Sequence, residues 1–199
     1  MPELETILPP VFGLAGVIDL GLAVYVSRSS PQSVIGFLMF LMGVMVAGTA
    51  FGYCATDLTL FNIGLVMNFT AAALLPVAFY VVYRQFTAGP PNKMVLGVLL
   101  VIPLCTIVLA LTNSWHDMIW TVTKTDAGLV YSATTESTWF NRVHAPYSYG
   151  LFGLAAIALM SRLSSIAPAQ RRTVLLMLVC ALLPFTVSFA NNFFGFGSP

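Results

Sequence analysis

Charge is scarce in this chain. Charged side chains make up 8% of its 199 residues, against about 25% in soluble domains. With 58% of positions hydrophobic, a water-soluble fold of this length could build a core but could not solvate its surface. The net charge is +1, so there is no basic excess to hold a nucleic acid. Cysteines number three. Cys105 and Cys180 fall inside apolar runs and Cys54 at the end of another, which excludes a disulfide framework and any thiolate metal spacing. The chain also lacks a Walker A loop, an HExxH, a GxSxG and a pair of carboxylates suited to one cleft, so neither an enzyme activity nor a cofactor is implied. Its only lysines, Lys93 and Lys124, lie in connections, which excludes a retinal Schiff base within a span. The N-terminus carries Glu3 and Glu5 and no basic flank. A cleavable signal peptide is therefore not expected, and the first span should stay in the bundle.

What the chain does have is six long apolar runs, at 8–27, 34–53, 58–83, 94–111, 147–161 and 173–190. Each has about the length a helix needs to cross roughly 30 Å of hydrocarbon. The runs are apolar on every side, as in Leu175 to Phe185, whereas a barrel strand would alternate. The expected fold is an all-α integral membrane bundle of six spans. Arg28, Arg84, Lys93, Arg162, Arg171 and Arg172 occupy the connections after the first, third and fifth runs, with no acid among them. Glu3, Glu5, Asp57, Asp117, Asp126 and Glu136 lie on the other side with only Lys124 and Arg142. By the positive-inside rule the N-terminus is external and the protein sits in the cytoplasmic membrane. Pro76, Pro103 and Pro184 fall within spans, where each removes one backbone hydrogen bond and is expected to kink its helix. Gly48 and Gly52 form a GxxxG, and Gly36 and Gly43 are a heptad apart. These favour close contact inside the bundle, with a homodimer as the alternative.

One connection is long. The segment 112–146, external by the charge rule, exceeds what a plain loop needs. Within it, Ile119 to Thr134 places β-branched and aromatic residues on either side of Asp126-Ala127-Gly128, which reads as a β-hairpin over the mouth of the bundle. All three tryptophans and both histidines lie in this segment. Trp115, Trp120, Trp139, Tyr147 and Tyr149 fit an interfacial aromatic belt or the roof of a ligand cavity. His116, Asp117 and His144 do not share a helix face, so the histidines are expected to cap helix ends or line a cleft rather than bind metal. Asp19 is the only ionisable residue in mid-span. It should face the interior, either as part of a deep ligand site or hydrogen-bonded to Asn62, Asn68 or a hydroxyl. Asn62 and Asn68 are separated by about 120° around a helix, so they cannot share one partner.

The stretch from Ile102 to Trp120, IPLCTIVLALTNSWHDMIW, resembles the most recognisable block of the N-terminal seven-helix sensor region of histidine kinases. There a Pro-containing span ends in T-N-x-x-H-x-x-x-W, matched here by Thr112, Asn113, His116 and Trp120. Trp139 to Phe152 resembles the family's next landmark, an aromatic entry followed by a Tyr-Ser-Tyr helix start. Arg171 and Arg172 resemble its basic inner turn, the stretch from Pro184 to Asn192 resembles the helix after it, and Phe61 to Gly89 is similar more loosely. The resemblance implies a sensory input module for a small or lipophilic ligand, joined C-terminally to a cytoplasmic kinase or similar output domain. Six spans would leave both termini outside, so the chain is expected to be a fragment with a seventh helix to follow. The candidate ligand residues are Asn113, Trp115, His116, Trp120, Trp139, His144, Tyr147 and Tyr149, with Asp19 deeper. The alternative is a small multi-pass transporter or channel, which would require inverted repeats and broken helices.

Overall fold

Lipid offers no hydrogen-bond partner, so each apolar run must pair its own backbone, and a helix does this. The computed structural model describes residues 2–29, 34–87, 89–124, 131–134, 139–165, 171 and 175. It contains α1 (Pro2–Ser29), α2 (Val34–Cys54), α3 (Leu58–Thr87), α4 (Lys93–Leu111) and α5 (Ala145–Ser161). Strands β1 (Thr121–Lys124) and β2 (Tyr131–Thr134) lie between α4 and α5. All five helices are long and apolar enough to cross a membrane once the turn before α5 is included. The protein is an all-α membrane bundle carrying a small antiparallel hairpin. The expected sixth span, 173–190, lies outside the described residues apart from Leu175, and so does Pro184.

Side-chain pairs fix the direction of each helix. Phe12 of α1 stacks on Tyr53 of α2 at 5.7 Å, while Ser27 meets Gly36 at the other end of the pair, so α1 and α2 are antiparallel. Gly48 meets Gly64, and Asn68 reaches back to Met45, which makes α2 and α3 antiparallel as well. Phe140, in the turn that leads into α5, and Phe152, on α5, pair with Phe69 and Phe79, so α5 runs parallel to α3. This alternation gathers Arg28, Arg84, Lys93 and Arg162 at one end, the basic end. Asp57, residues 112–120 and the hairpin lie at the other, the loop end. Helix α3 is the hub and packs against α2, α4 and α5. It buries Phe69, Ala71, Ala73, Val77, Phe79 and Val82.

Hydrocarbon tails are as apolar as leucine, so helix association here rests on close contact rather than on escape from water. A Cβ added to Gly48 would lie 2.6 Å from the Gly64 carbonyl oxygen, and one added to Gly64 would lie 2.6 Å from that of Gly48. Only glycine at both positions lets the two backbones approach this closely. Gly36 and Gly43 do the same against α1, where a Cβ would meet Ser27 and Leu20. The Asn68 amide donates to Thr49 Oγ1 at 2.9 Å across the same joint. Such bonds average about 0.6 kcal/mol in a membrane, so packing over many atoms outweighs it. Leu14 and Val17 on α1, and Val98, Val101, Leu104 and Val108 on α4, stay exposed, apolar faces of the kind that suit lipid.

One expectation is adjusted. The long connection does not reach Pro146, because α5 opens at Ala145 and a π-helical turn, Phe140–His144, precedes it. Pro146 then sits in the first turn of α5, where its missing N–H leaves nothing unpaired. Pro76 and Pro103 lie inside α3 and α4.

Replacing Gly48 or Gly64 by alanine should overpack the α2–α3 joint and cost about 1–3 kcal/mol. Gly97→Ala, where an added Cβ meets nothing within 4 Å, should cost nothing. Thermal unfolding of the three variants in detergent checks this, and equal melting temperatures would contradict the packing assignment.

Candidate functional site

The loop end is organised by one carboxamide. Asn113, 3% exposed, follows the last turn of α4. Its Oδ1 accepts from the backbone N–H groups of Ile119 at 2.9 Å and Trp120 at 3.3 Å. Its Nδ2 donates to the Trp120 carbonyl at 2.8 Å, and its own carbonyl accepts from His116 N and Asp117 N. The chain reverses at Asp117, whose φ of 50° is left-handed, a region that Asp and Asn tolerate better than most residues. His116 closes the same turn. Its Nδ1 accepts from Met118 N at 3.0 Å, so a neutral ring carries its proton on Nε2, which lies 3.0 Å from Thr112 Oγ1. Thr112 in turn donates to the Val108 carbonyl at 2.8 Å. Thr112, Asn113 and His116 thus spend their polar groups on the loop itself.

The clasp delivers Trp120, 2% exposed, onto α3. Its ring stacks on Phe69 at 5.0 Å, and its Nε1 donates to Asn62 Oδ1 at 3.4 Å. From Phe69 the contacts continue edge-on to Phe140 at 5.0 Å, and Phe140 stacks on His144 at 5.2 Å. The π-helical turn makes this last stack. The Ala145 N–H reaches back to the Phe140 carbonyl, and the wider turn lays the two rings nearly parallel. His144 is 2% exposed and touches Thr106 Oγ1 through Nδ1 at 3.0 Å and Ser148 Oγ through Nε2 at 3.1 Å. Thr106 also meets the Ile102 carbonyl at 2.9 Å and Trp139 Nε1 at 3.1 Å. Trp139 can only donate. All four contacts are satisfied when Thr106 donates to Ile102, His144 donates from Nδ1, and Ser148 donates to Nε2. His144 then has no free lone pair for a metal or a ligand.

The candidate residues therefore separate. Asn113, Trp120, Trp139 and His144 come together in one buried cluster. Tyr147 lies beside it, its hydroxyl donating to the Leu99 carbonyl, and Tyr149 is half-buried on α5. Trp115 is 84% exposed and stands out from the end of α4, as an interfacial anchor would. Asp19 is not part of the cluster. It is half-buried on α1, in the stripe with Gly16 and Ala23 that faces α2, and its expected partners are engaged elsewhere, Asn62 by Trp120 and Asn68 by Thr49.

Beside the cluster lies a cavity of about 300 Å³ between α2, α3 and β2. Gly48, Thr49 and Gly52 line it from α2, Phe61 and Asn68 from α3, and Tyr131 from β2. Leu65 and Ala133 face both the cavity and the aromatic cluster. Sequence reasoning placed the site among histidines and tryptophans and overlooked this space. The Gly48/Gly52 pair was its signal, read only as a packing device.

Asn113→Ala should strip acceptors from two buried N–H groups at about 1–3 kcal/mol each. Faster proteolysis between α4 and α5, and red-shifted Trp120 emission in a Trp115→Phe, Trp139→Phe background, are the expected readouts. Asn113→Asp keeps the acceptor and should lose less, and two variants indistinguishable from wild type would remove Asn113 from its role as the clasp.

No curated protein and no solved structure matches the chain. A family model described as the N-terminal 7TM region of histidine kinase matches residues 11–198. With nearly its whole length matched, and with Thr112, Asn113, His116 and Trp120 closing one turn at the end of a Pro-containing span, the chain belongs to the N-terminal 7TM region family of histidine kinases.

Proposed function

We propose that this membrane sensory region binds a small or lipophilic ligand at its loop end. On this reading the loop end and the N-terminus are external. The change in helix arrangement passes through α5 and the spans that follow it to a cytoplasmic histidine kinase or similar output domain. The observation that carries the proposal is the shared wall. Leu65 and Ala133 border the cavity and also pack on the cluster of Phe69, Trp120 and Phe140, which stacks on the turn that opens α5. A ligand that prefers one arrangement of these side chains shifts a two-state equilibrium by its difference in affinity and no more. The clustered candidates Asn113, Trp120, Trp139 and His144 act in this scheme as the frame that relays the change. His116 holds the loop and Trp115 anchors it at the interface. The transporter alternative calls for broken helices near mid-span, whereas α1 to α5 are continuous.

Two measurements test the proposal. Cys54 is exposed at the loop end of α2. With Cys105 and Cys180 replaced by serine, a membrane-impermeant maleimide should label Cys54 in intact cells, and labelling only after lysis would reverse the topology. In vesicles holding the full-length protein, Phe140→Leu should uncouple ligand addition from kinase autophosphorylation while leaving the basal rate in place. An unchanged ligand response would break the proposed route through α5.

A further inference from the structure

The walls of the cavity between α2, α3 and β2 specify a ligand chemistry. Among the described residues no lining side chain carries a charge at neutral pH, so these walls offer an ion no counter-charge for the hydration it would lose. Phe61 and Tyr131 set their rings together at 5.6 Å, and Tyr53 is braced by Phe12, giving flat apolar faces opposite a backbone floor at Gly48 and Gly52. The volume lies at the lower end of the range for small-molecule sites.

The polar corner is more selective. The Asn68 Nδ2 group donates to Thr49 Oγ1 at 2.9 Å and to the Met45 carbonyl at 3.3 Å. Thr49 sends its hydroxyl proton to the same Met45 carbonyl at 3.1 Å. The donors of Asn68 and Thr49 are engaged, so this pair keeps capacity only for accepting, at Asn68 Oδ1 and at the second lone pair of Thr49, while the Tyr53 and Tyr131 hydroxyls elsewhere on the wall can donate or accept. We infer that the cavity binds an uncharged lipophilic alcohol, whose chain or ring lies between Phe61, Tyr131 and the glycine floor while its hydroxyl donates to Asn68. The inference rests on the sensory reading for its purpose, but binding can be measured without any kinase output. The same chemistry is available from a bilayer-resident neutral lipid alcohol and from a freely diffusing alcohol.

The test is photolabelling of the purified chain in phosphatidylcholine vesicles with a diazirine derivative of octanol, followed by peptide mapping. Adducts should fall within 48–68 and 131–133 and be suppressed by excess 1-octanol. Gly52→Leu should lower labelling about tenfold, as expected when about 1.4 kcal/mol of binding is removed. A Cβ at Gly52 meets only Phe61 Cε2, at 3.9 Å, so a larger side chain has room to grow into the cavity without parting the helices. Gly52→Ala gives a smaller graded loss and serves if the leucine variant misfolds. A neutral alcohol that co-purifies with wild type and is absent from Gly52→Leu supports the proposal with a bilayer source. Protection by 1-octanol with nothing co-purifying supports it with a diffusible source. The proposal is overturned if labelling spreads along the lipid face of α4, if neither Gly52 variant lowers it, or if 2-octanone, which has no donor, protects as well as 1-octanol. Specific binding with unchanged autophosphorylation of the full-length protein would overturn the sensory reading alone.

Discussion

Three hydrogen bonds from the Asn113 side chain hold the loop end together, and most of what surrounds it follows from them. Ile119 and Trp120 have backbone groups buried against apolar side chains, where no water can replace a lost partner. By supplying both an acceptor and a donor to this pair, Asn113 allows Trp120 to lie flat on Phe69. Val122 and Ala133, which belong to the hairpin strands, pack on the same cluster. That places β2 over α3, and β2 supplies Tyr131 to the cavity wall. A two-stranded hairpin alone is marginal in water, so its position depends on what it rests on.

The bundle beneath obeys a different solvent. Several of its described polar side chains are satisfied within their own helix or across one joint, whereas the Arg84 Nε is buried without a partner among the described residues. Thr49, Thr87, Thr106 and Thr112 each send a hydroxyl proton to the carbonyl four residues back, which leaves their lone pairs for neighbours on other helices. Trp139 and Asn68 use those lone pairs. Helix contact itself is left to glycine, with Gly36 and Gly43 turned to α1 and Gly48 and Gly64 meeting between α2 and α3. Because Gly43 and Gly48 lie on different sides of α2, one helix serves two interfaces.

The spans were legible because lipid imposes a length and a composition on any helix that crosses it, and the alternation of basic and acidic connections ordered their ends. The hairpin was legible because strand-forming residues flank a turn triplet. The start of α5 was not. Asn141 and Arg142 look like loop, yet both lie exposed in the π-helical turn that buries His144. The site was half legible. Sequence separated Asn62 from Asn68 by helical geometry, and the two do serve different partners. It did not show that His116, Asn113 and His144 would be satisfied from within, since a polar residue near a membrane surface has the same appearance whether it waits for a ligand or already holds a neighbour. Thr106, at the centre of the His144 network, carried no signal inside an apolar run. A space bounded by glycine backbone carries even less, because the residues that create it contribute no side chain to notice.

This division of labour has a consequence for how the loop end could change state. A frame whose polar groups are all paired resists gradual deformation, since each lost partner costs about as much as a good interhelical contact contributes. The surfaces that can adjust are the apolar ones between the paired groups. Leu65 and Ala133 meet this cluster through apolar side chains, and the Phe69 ring meets its neighbours by stacking on Trp120 and edge-on contact with Phe140. The edge-on contact of Phe140 on Phe69 is such a surface, and it joins the hub helix to the turn that opens α5. Hydrogen-bonded nodes at Asn113 and His144 are thus joined by an aromatic seam that runs from Trp120 through Phe69 to Phe140.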